Sequence, residues 1–260
     1  MYDYHTHSYF SGDCYTSTDD MIEAAILKGI KEMAVTDHYD PDDLDYPFAP
    51  DFIKYHKKLS EITHTYEGRI KIIKGIEIGI QHGNTLLKCE HAANAYPYDF
   101  ILGAFHAARS QNLYSRYFDD RTPEDGFGDF YTYMADCIKM YKNFDVLAHF
   151  NVIDRYVSYV PDYAPYMDVI ESILIDLIDH GKGIEFNTSS FRYGMKNTTP
   201  SEEILQLYKE LGGEIITIGS DAHKAQDIGY AYEKGIAIIK SHGFKYLTTF
   251  ENRKPDFIRI

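Results

Sequence analysis

The chain has no tryptophan, and its 260 residues include only three cysteines, Cys14, Cys89 and Cys137. The cysteines are widely separated and form no C-x-x-C pair, which argues against a disulfide framework and a cysteine-based zinc site. No apolar run approaches the length needed to cross a bilayer, so no membrane partner is expected. Because the N-terminus also lacks a basic segment followed by an apolar one, we expect a cytoplasmic protein.

Basic residues are scarce relative to acidic ones. Lysine and arginine number 26 against 40 aspartates and glutamates, a formal net charge of −14. This balance argues against nonspecific nucleic-acid binding, which needs a basic surface. A small anionic substrate can still bind where bound cations reverse the local potential. The sequence leaves the oligomeric state open.

Short apolar runs alternate with longer amphipathic segments along the chain. Strands are predicted at residues 2–5, 32–36, 70–76, 100–104, 145–148, 183–186 and 215–219. Helices are predicted near residues 19–28, 52–66, 85–95, 130–141, 166–180, 201–211 and 227–242. This alternation predicts an α/β fold with a parallel sheet, and at this length a closed or nearly closed barrel in one domain over residues 1–260.

Imidazoles and carboxylates return repeatedly to the predicted C-terminal ends of the strands. The pair His5-x-His7 closes the first apolar run, and Asp221-x-His223 closes the last. The strand ends between them carry His38, Glu77, His106 and His149. Any one of these could be an ordinary core or surface residue, but packing does not explain so many at equivalent positions. The other histidines lie in predicted helices or connecting loops and are expected to be solvated: His56, His64, His82, His91, His180 and His242.

This residue set predicts a metal centre. Neutral imidazole and carboxylate ligands suit zinc, manganese or iron. The ligands outnumber what one tetrahedral ion can use, so two or three divalent ions are expected, with Glu77 or Asp221 able to bridge them. Such multi-metal sites favour phosphate-ester hydrolysis. Two polar loops, residues 39–50 and 107–128, follow strand ends and are expected to frame the same mouth.

Several motifs occur in a characteristic order: His5-Thr-His-Ser followed by Asp13, then Thr-Asp-His38, Gly-Ile-Glu77, Gly103-x-x-His106, Ala-His149-Phe and Gly-Ser-Asp221-Ala-His. Together they resemble the PHP (polymerase and histidinol phosphatase) family over nearly the whole chain. The segments 148–156 and 185–193 are similar to its bacterial histidinol-phosphatase branch. The resemblance implies a distorted (β/α)7 TIM-like barrel with a trinuclear metal centre.

The resemblance also assigns the predicted ligands to three ions by position. The first ion would be bound by His5, His7, Glu77 and Asp221. The second would share Glu77 as a bridge and add His106 and His149. The third would be bound by Asp13, His38 and His223. Asp13 is identified only by its offset from His7.

The implied activity is metal-dependent hydrolysis of a small phosphorylated metabolite, most specifically L-histidinol phosphate to L-histidinol and phosphate in histidine biosynthesis. A hydroxide bridging two ions would attack phosphorus. Arg155 and Arg192, which match arginines of the branch, would contact the phosphate through their planar forks. Arg109 is a further candidate for substrate binding. Asp13, His38 or a metal-bound water could protonate the leaving alkoxide.

Two other functions stay open at this point. One is a PHP phosphoesterase for a nucleotide or sugar phosphate, and the other is a non-catalytic, metal-dependent binding module. The acidic run Asp40, Asp42, Asp43 and Asp45 also has two interpretations. It is either an ordinary solvated loop or a loop that closes over the mouth and attracts the ammonium group of histidinol phosphate.

Overall fold

The computed structural model describes all 260 residues. Its strands are β1 (Tyr2–Thr6), β2 (Glu32–Val35), β3 (His38–Tyr39), β4 (Lys71–Gly79), β5 (Phe100–Ala104), β6 (Ala107–Ala108), β7 (Gln111–Asn112), β8 (Val146–Leu147), β9 (Gly183–Asn187), β10 (Ile216–Gly219), β11 (Tyr246–Glu251) and β12 (Lys254–Arg259). Its α-helices are α1 (Thr18–Leu27), α2 (Phe52–Thr65), α3 (Asn84–Asn94), α4 (Pro123–Met140), α5 (Met167–Asp179), α6 (Ser189–Arg192), α7 (Glu202–Glu210) and α8 (Tyr232–Ser241). Short 3-10 helices cover Val152–Tyr156, Ala164–Tyr166 and Ala225–Asp227.

The central sheet is a nearly closed parallel barrel. Its strand order is β1-β2-β4-β5-β8-β9-β10, with the short β3 also paired to β4. The two outermost strands meet where His7 N donates to Ala222 O at 2.9 Å and Asp221 N donates to His5 O at 2.8 Å. The predicted seven-stranded barrel is confirmed. Because its strands are parallel, their C-terminal ends lie at one end of the barrel, where active sites of such folds are built.

Amphipathic helices pack their apolar faces on the outside of this sheet and form the main core. A smaller, separate cluster is formed by barrel-strand residues that include Tyr4 and Phe100, together with Phe250. Phe250 comes from a C-terminal hairpin, β11–β12, whose Arg253 N donates to Asp99 O at 2.9 Å. The hairpin therefore covers the end of the barrel opposite the predicted ligands. No helix combines the length and apolar composition that crossing a bilayer requires.

The hairpin was not predicted, and its turn shows why. The two turn residues, Asn252 and Arg253, have φ values of 49° and 63°. A two-residue turn with two positive φ values is usually signalled by Asn-Gly or Asp-Gly, and arginine is an unusual occupant. Arg253 is retained there by its side chain, whose Nε donates to Asp145 Oδ2 at 2.7 Å.

Helix α4 begins earlier than the predicted residue 130, so the second predicted loop is shorter than expected. Thr122 caps this helix by accepting a hydrogen bond from Asp125 N, and Pro123 occupies the first helical position. Both residues are typical of helix starts. Residues 123–128, predicted as loop, are helical for this reason. The start of α8 is later than predicted, because residues 225–227 form a separate 3-10 turn.

We expect Arg253→Ala to lower the free energy of unfolding by about 2 kcal/mol, because it leaves a buried carboxylate unpaired. The Asp145 side chain is only 6% exposed, whereas that of Arg253 is 26% exposed. Burial already raises the pKa of the Asp145 carboxyl, and Arg253 opposes that shift. Urea unfolding measures the loss. Lys254→Ala, which changes an exposed neighbour, is the control, and equal stability of the two variants would contradict the expectation.

Candidate metal centre

Glu77, near the end of β4, is fully buried at the centre of the predicted ligands. Its Oε1 lies 2.9 Å from His149 Nε2, 3.3 Å from His106 Nε2 and 3.4 Å from His5 Nε2. The parallel pairing of β4 with β5, and of β5 with β8, places these strand ends side by side. One carboxylate oxygen is therefore shared by imidazoles from three other strand ends.

The second oxygen of Glu77 faces another set of imidazoles. Glu77 Oε2 lies 2.7 Å from His38 Nδ1 and 3.6 Å from His7 Nε2. Asp221 Oδ1, at the end of β10, lies 3.5 Å from His7 Nε2 and 3.8 Å from His5 Nε2. Glu77 and Asp221 thus flank the His5-x-His7 pair from opposite sides, and period-two geometry on β1 sends both rings into the same site.

Asp13 lies at the outer edge of the cluster. Its Oδ2 is 3.2 Å from His223 Nε2 and 3.8 Å from His38 Nε2. The two imidazole Nε2 atoms are 3.4 Å apart, and the His7 ring stacks on that of His223 with centroids 4.0 Å apart. The Asp13 side chain is 48% exposed, which leaves it accessible from the mouth. All nine side chains predicted as ligands are therefore brought together at one end of the barrel.

The donor set fits divalent metal ions. Four triplets have ligand atoms within 4.8 Å of one another: His5–Glu77–His149, His5–His7–Asp221, His38–Glu77–His106 and His7–His38–His223. Buried atoms that include His5 Nε2, His7 Nε2 and Glu77 Oε2 have no hydrogen-bond partner of acceptable geometry. Buried polar groups without partners are costly, and these converge on one another as ligands would. Ions bound there would supply Lewis-acid polarisation of a phosphoryl oxygen and positive charge to offset developing negative charge.

The triplets overlap more than the predicted division into three sites. The His5–His7–Asp221 and His5–Glu77–His149 triplets follow the implied first and second sites in part. His7, however, also approaches His38 and His223, and His38 also approaches Glu77. The division of ligands among individual ions therefore stays a prediction.

Three of the imidazoles have their Nδ1 atoms occupied by partners that the sequence did not suggest. His5 Nδ1 lies 2.8 Å from Glu185 Oε1, and His106 Nδ1 lies 2.9 Å from Asp40 Oδ1. His7 Nδ1 lies 3.0 Å from Ser11 Oγ, which itself donates to a buried aspartate. These contacts leave the Nε2 atoms of the three rings free to face the cluster, an arrangement common among metal-binding histidines. The available signals for Glu185 were a charged residue inside the apolar run 183–187 and its place at the start of the branch-like segment 185–193.

The cluster is strongly coupled electrostatically. Burial opposes ionisation of Glu77, but His5, His38 and His106 hold the pKa of that carboxyl well below its ordinary value. Burial likewise disfavours the charged form of His38, yet Glu77 and Asp13 raise the pKa of its imidazole to about 9. For His5, Glu185 and Glu77 outweigh burial and raise the imidazole pKa well above its ordinary value.

We therefore expect metal binding at pH 7 to release protons. The folded-state pKa of His38 lies near 9, so its imidazole is charged at pH 7 and must lose a proton to bind a cation. Metal affinity should rise with pH up to about 9 and weaken as pH falls. Titration with zinc in buffers of different ionisation enthalpy counts the protons. His64→Gln, which changes an exposed histidine, should release the same number. Zinc binding without proton release would contradict the expectation.

A cleft of about 480 Å³ opens onto the ligands. Its walls include five aromatic side chains: Tyr46, Phe48, Tyr114, Tyr156 and Tyr193. Tyr46 and Phe48 come from the first predicted loop and Tyr114 from the second, so both loops frame the mouth as expected. The loops are also joined, because Asn112 Nδ2 donates to Asp43 Oδ2 at 2.5 Å and Arg116 pairs with Asp45.

The acidic run in the first loop is divided between the cleft and the surface. Asp40 and Asp43 line the cleft. Asp42 instead accepts hydrogen bonds from Thr85 Oγ1 and Lys88 Nζ, and Asp45 pairs with an arginine of the second loop. Only Asp40 and Asp43 therefore line the cleft, so the ammonium-attraction hypothesis is limited to these two.

The three predicted arginines have different surroundings. Arg155 lines the cleft, with Nη2 donating to Ser189 Oγ at 2.9 Å and lying 3.6 Å from Asp221 Oδ2. Arg192 lies behind this position and donates to the backbone oxygens of Ser220 at 3.0 Å and Asp221 at 2.8 Å. Arg109 lies outside the cleft lining. Its Nε donates to Asp129 at 2.5 Å, and its side chain is 51% exposed, so substrate contact by Arg109 is not supported by its position.

Two histidines outside the cluster are not solvated as predicted. His56 packs on Tyr96 with ring centroids 4.3 Å apart, and its Nε2 lies 2.7 Å from Tyr98 Oη. His242 caps the end of α8, where its Nδ1 lies 2.9 Å from Ile238 O, and its side chain is only 12% exposed. Tyrosine-rich packing explains the partial burial of His56, and the helix terminus explains that of His242. Neither histidine lies near the metal centre.

Comparison with known proteins supports the family resemblance found in the sequence. Residues 3–189 match the model of the PHP domain family. The chain is 28% identical to a probable histidinol-phosphatase of Clostridium acetobutylicum, over 94% of this chain and 95% of the relative. It is 30% identical to one of Thermotoga maritima, over 95% and 94% respectively. The crystal structure of a histidinol phosphate phosphatase from Lactococcus lactis, complexed with zinc, L-histidinol and phosphate, superposes with a TM-score of 0.90 at 26% identity, covering 98% of each chain. The chain therefore belongs to the PHP domain family.

Proposed function

We propose that this chain is a metal-dependent phosphomonoesterase that hydrolyses L-histidinol phosphate to L-histidinol and phosphate. The observation that carries the proposal is the likeness, over 98% of the chain, to a phosphatase whose structure contains zinc, L-histidinol and phosphate. The cluster of imidazoles and carboxylates supports it, because its donor atoms suit zinc, manganese or iron.

Arg155 is the side chain best placed to bind the phosphate. Its guanidinium reaches the cleft beside Asp221 and stacks on the Tyr193 ring at 4.1 Å from the centroid. Its Nε is buried without a hydrogen-bond partner. A planar fork with a free donor, held against an aromatic ring, is suited to phosphate oxygens. Arg192 would act alongside it by holding the Asp221 turn, and its own contact with phosphate stays a prediction.

The proton donor for the leaving alkoxide can be narrowed. Burial opposes ionisation of Asp13, but His223 and His38 hold the pKa of that carboxyl below its ordinary value. Asp13 is thus ionised near neutral pH and is suited to bind cations rather than to donate a proton. His38 must itself lose a proton to bind a cation, so neither side chain suits this role in the loaded site, and the third candidate, a metal-bound water, stays a prediction.

The cleft also suits the alcohol half of the proposed ester. Its volume of about 480 Å³ accommodates a small metabolite, and aromatic rings such as Tyr114 and Tyr156 offer faces for a planar imidazole. The carboxylates of Asp40 and Asp43 at the same cleft supply negative charge near which an ammonium group is favoured. A polymeric nucleic acid is disfavoured by the net charge of −14.

A phosphate-release panel on metal-reconstituted protein tests the substrate. L-histidinol phosphate, p-nitrophenyl phosphate, a nucleoside monophosphate and a sugar phosphate are compared by kcat/KM. The highest value is expected for L-histidinol phosphate. A higher value for the nucleotide or the sugar phosphate would reassign the substrate within the same chemistry. Full metal occupancy without release from any ester would favour a binding module.

A further inference from the structure

We propose that Glu185 is a positioning residue that fixes the orientation of His5 and His149 and the tautomer of His5 needed for metal binding. The inference rests on the metal centre that the proposed function requires. It concerns binding of the ion rather than hydrolysis, so it can be tested whether or not the substrate is correctly identified.

One carboxylate contacts two of the three members of a single ligand triplet. Glu185 lies in the middle of β9 and is fully buried. Its Oε1 is 2.8 Å from His5 Nδ1, and its Oε2 accepts a hydrogen bond from His149 N at 2.9 Å. With Glu77, those two histidines form the triplet His5–Glu77–His149. Glu185 therefore links the two imidazole-bearing strand ends of that triplet from behind.

The contact with His5 sets the position of the ring proton. An ionised carboxylate can only accept hydrogen bonds, so the proton of a neutral His5 must lie on Nδ1. The lone pair then lies on Nε2, which is buried without a hydrogen-bond partner and faces Glu77 Oε1 at 3.4 Å. Carboxylates orient metal-binding histidines in this way in many proteins.

The contact with His149 acts on the backbone. His149 has a φ of 26°, a left-handed conformation that non-glycine residues rarely adopt. The hydrogen bond from its N–H to Glu185 stabilises the chain at this position and so fixes where the His149 side chain begins. Strained backbone of this kind persists where surrounding contacts determine it.

Packing alone does not explain a glutamate at this position. The flanking residues Ile184 and Phe186 are buried apolar side chains, and no lysine or arginine forms an ion pair with Glu185. A buried carboxylate is costly unless hydrogen bonds or nearby charge offset it. Its partners are instead His5, His149 and the Asn187 side chain, whose Nδ2 donates to Oε2 at 3.0 Å.

Glu185→Gln tests the positioning role of the carboxylate while keeping the size of the side chain nearly constant. Two donors, His149 N and Asn187 Nδ2, meet at the Oε2 position, so the glutamine carbonyl should remain there. The amide NH2 would then face His5 Nδ1, which must accept, and the ring proton would shift to Nε2. That is the atom expected to bind the ion. We expect zinc affinity, measured by competition with a chromophoric chelator, to weaken about 10–100-fold.

Two further variants make the outcome decisive. Asp145→Asn alters another buried carboxylate that accepts from a backbone N–H, Ile101 N at 2.8 Å, at the opposite end of the barrel. It should lower stability and leave zinc affinity unchanged. Glu185→Asp keeps a carboxylate acceptor with a shorter reach, so its zinc affinity should lie between those of wild type and Glu185→Gln. If Glu185→Gln does not fold, Glu185→Asp takes its place in the test.

The proposal is overturned if every folded Glu185 variant binds zinc as tightly as wild type. It is also overturned if Asp145→Asn loses as much stability as Glu185→Gln and weakens zinc binding by the same factor. Failure of the proposed function would look different: wild-type protein would bind zinc normally and release no phosphate from L-histidinol phosphate.

Discussion

Glu77→Gln is expected to lower kcat/KM for L-histidinol phosphate by about 10³-fold or more. The Glu77 carboxylate lies within 3.6 Å of five imidazoles, and both of its oxygens face the cluster. Glutamine has nearly the same shape but offers one neutral acceptor and presents an NH2 group to the remaining imidazoles. It therefore cannot bridge two cations. Steady-state kinetics with metal analysis of the same samples measures both effects.

Glu67→Gln is the matched control for this change. The Glu67 side chain is 81% exposed and distant from the cleft, so its removal should leave metal content and turnover unchanged. Circular dichroism of the metal-free proteins would establish that Glu77→Gln folds. Near wild-type activity together with full metal content in Glu77→Gln would contradict the central position given to this carboxylate.

Arg155→Lys is expected to lower kcat/KM by about 10²–10³-fold. The reason is that the Arg155 fork would stabilise the negative charge that develops on the phosphoryl group in the transition state. Lysine keeps the positive charge but loses the planar fork, and it also loses the stack on Tyr193. The Arg155 side chain is 17% exposed, so little solvent is available to substitute for the missing donors. The metal content should stay at the wild-type value.

Arg109→Lys gives the comparison for this variant. Arg109 pairs with Asp129 away from the cleft lining, so its replacement should change kcat/KM little. Equal losses in the two variants would show that the effect is not specific to the Arg155 fork. No loss in Arg155→Lys would contradict a role for the planar fork, because a positive charge at this position would then suffice.

The barrel strands and the ligand cluster could be predicted because they depend on the local pattern of apolar and polar residues. Each barrel strand is an apolar run ended by a polar residue, as in the segments leading to Glu77 and His106. Parallel strands place such ends together, so the ligand cluster followed from the order of these runs. The motif order added the identity of Asp13, whose partners His38 and His223 are distant in sequence.

The parts that were missed depend on tertiary contacts. Glu185 contacts His5 across 180 positions of sequence, and no local feature identifies that pairing. Asp40 belongs to an acidic run, yet its role is set by the His106 ring at 2.9 Å. Arg109 follows a ligand strand closely in sequence, but its backbone has a φ of 51° and its side chain pairs with Asp129 on α4. Sequence proximity to a ligand was therefore a poor guide for this arginine.

The most direct test is a titration of metal-free protein with zinc or manganese in which bound metal and phosphate release from L-histidinol phosphate are measured on the same samples. We expect no release from the metal-free chain, and release that rises with bound metal and saturates when the cluster is filled with two or three ions. A fully loaded chain that releases no phosphate, or equal release with and without metal, would contradict this expectation.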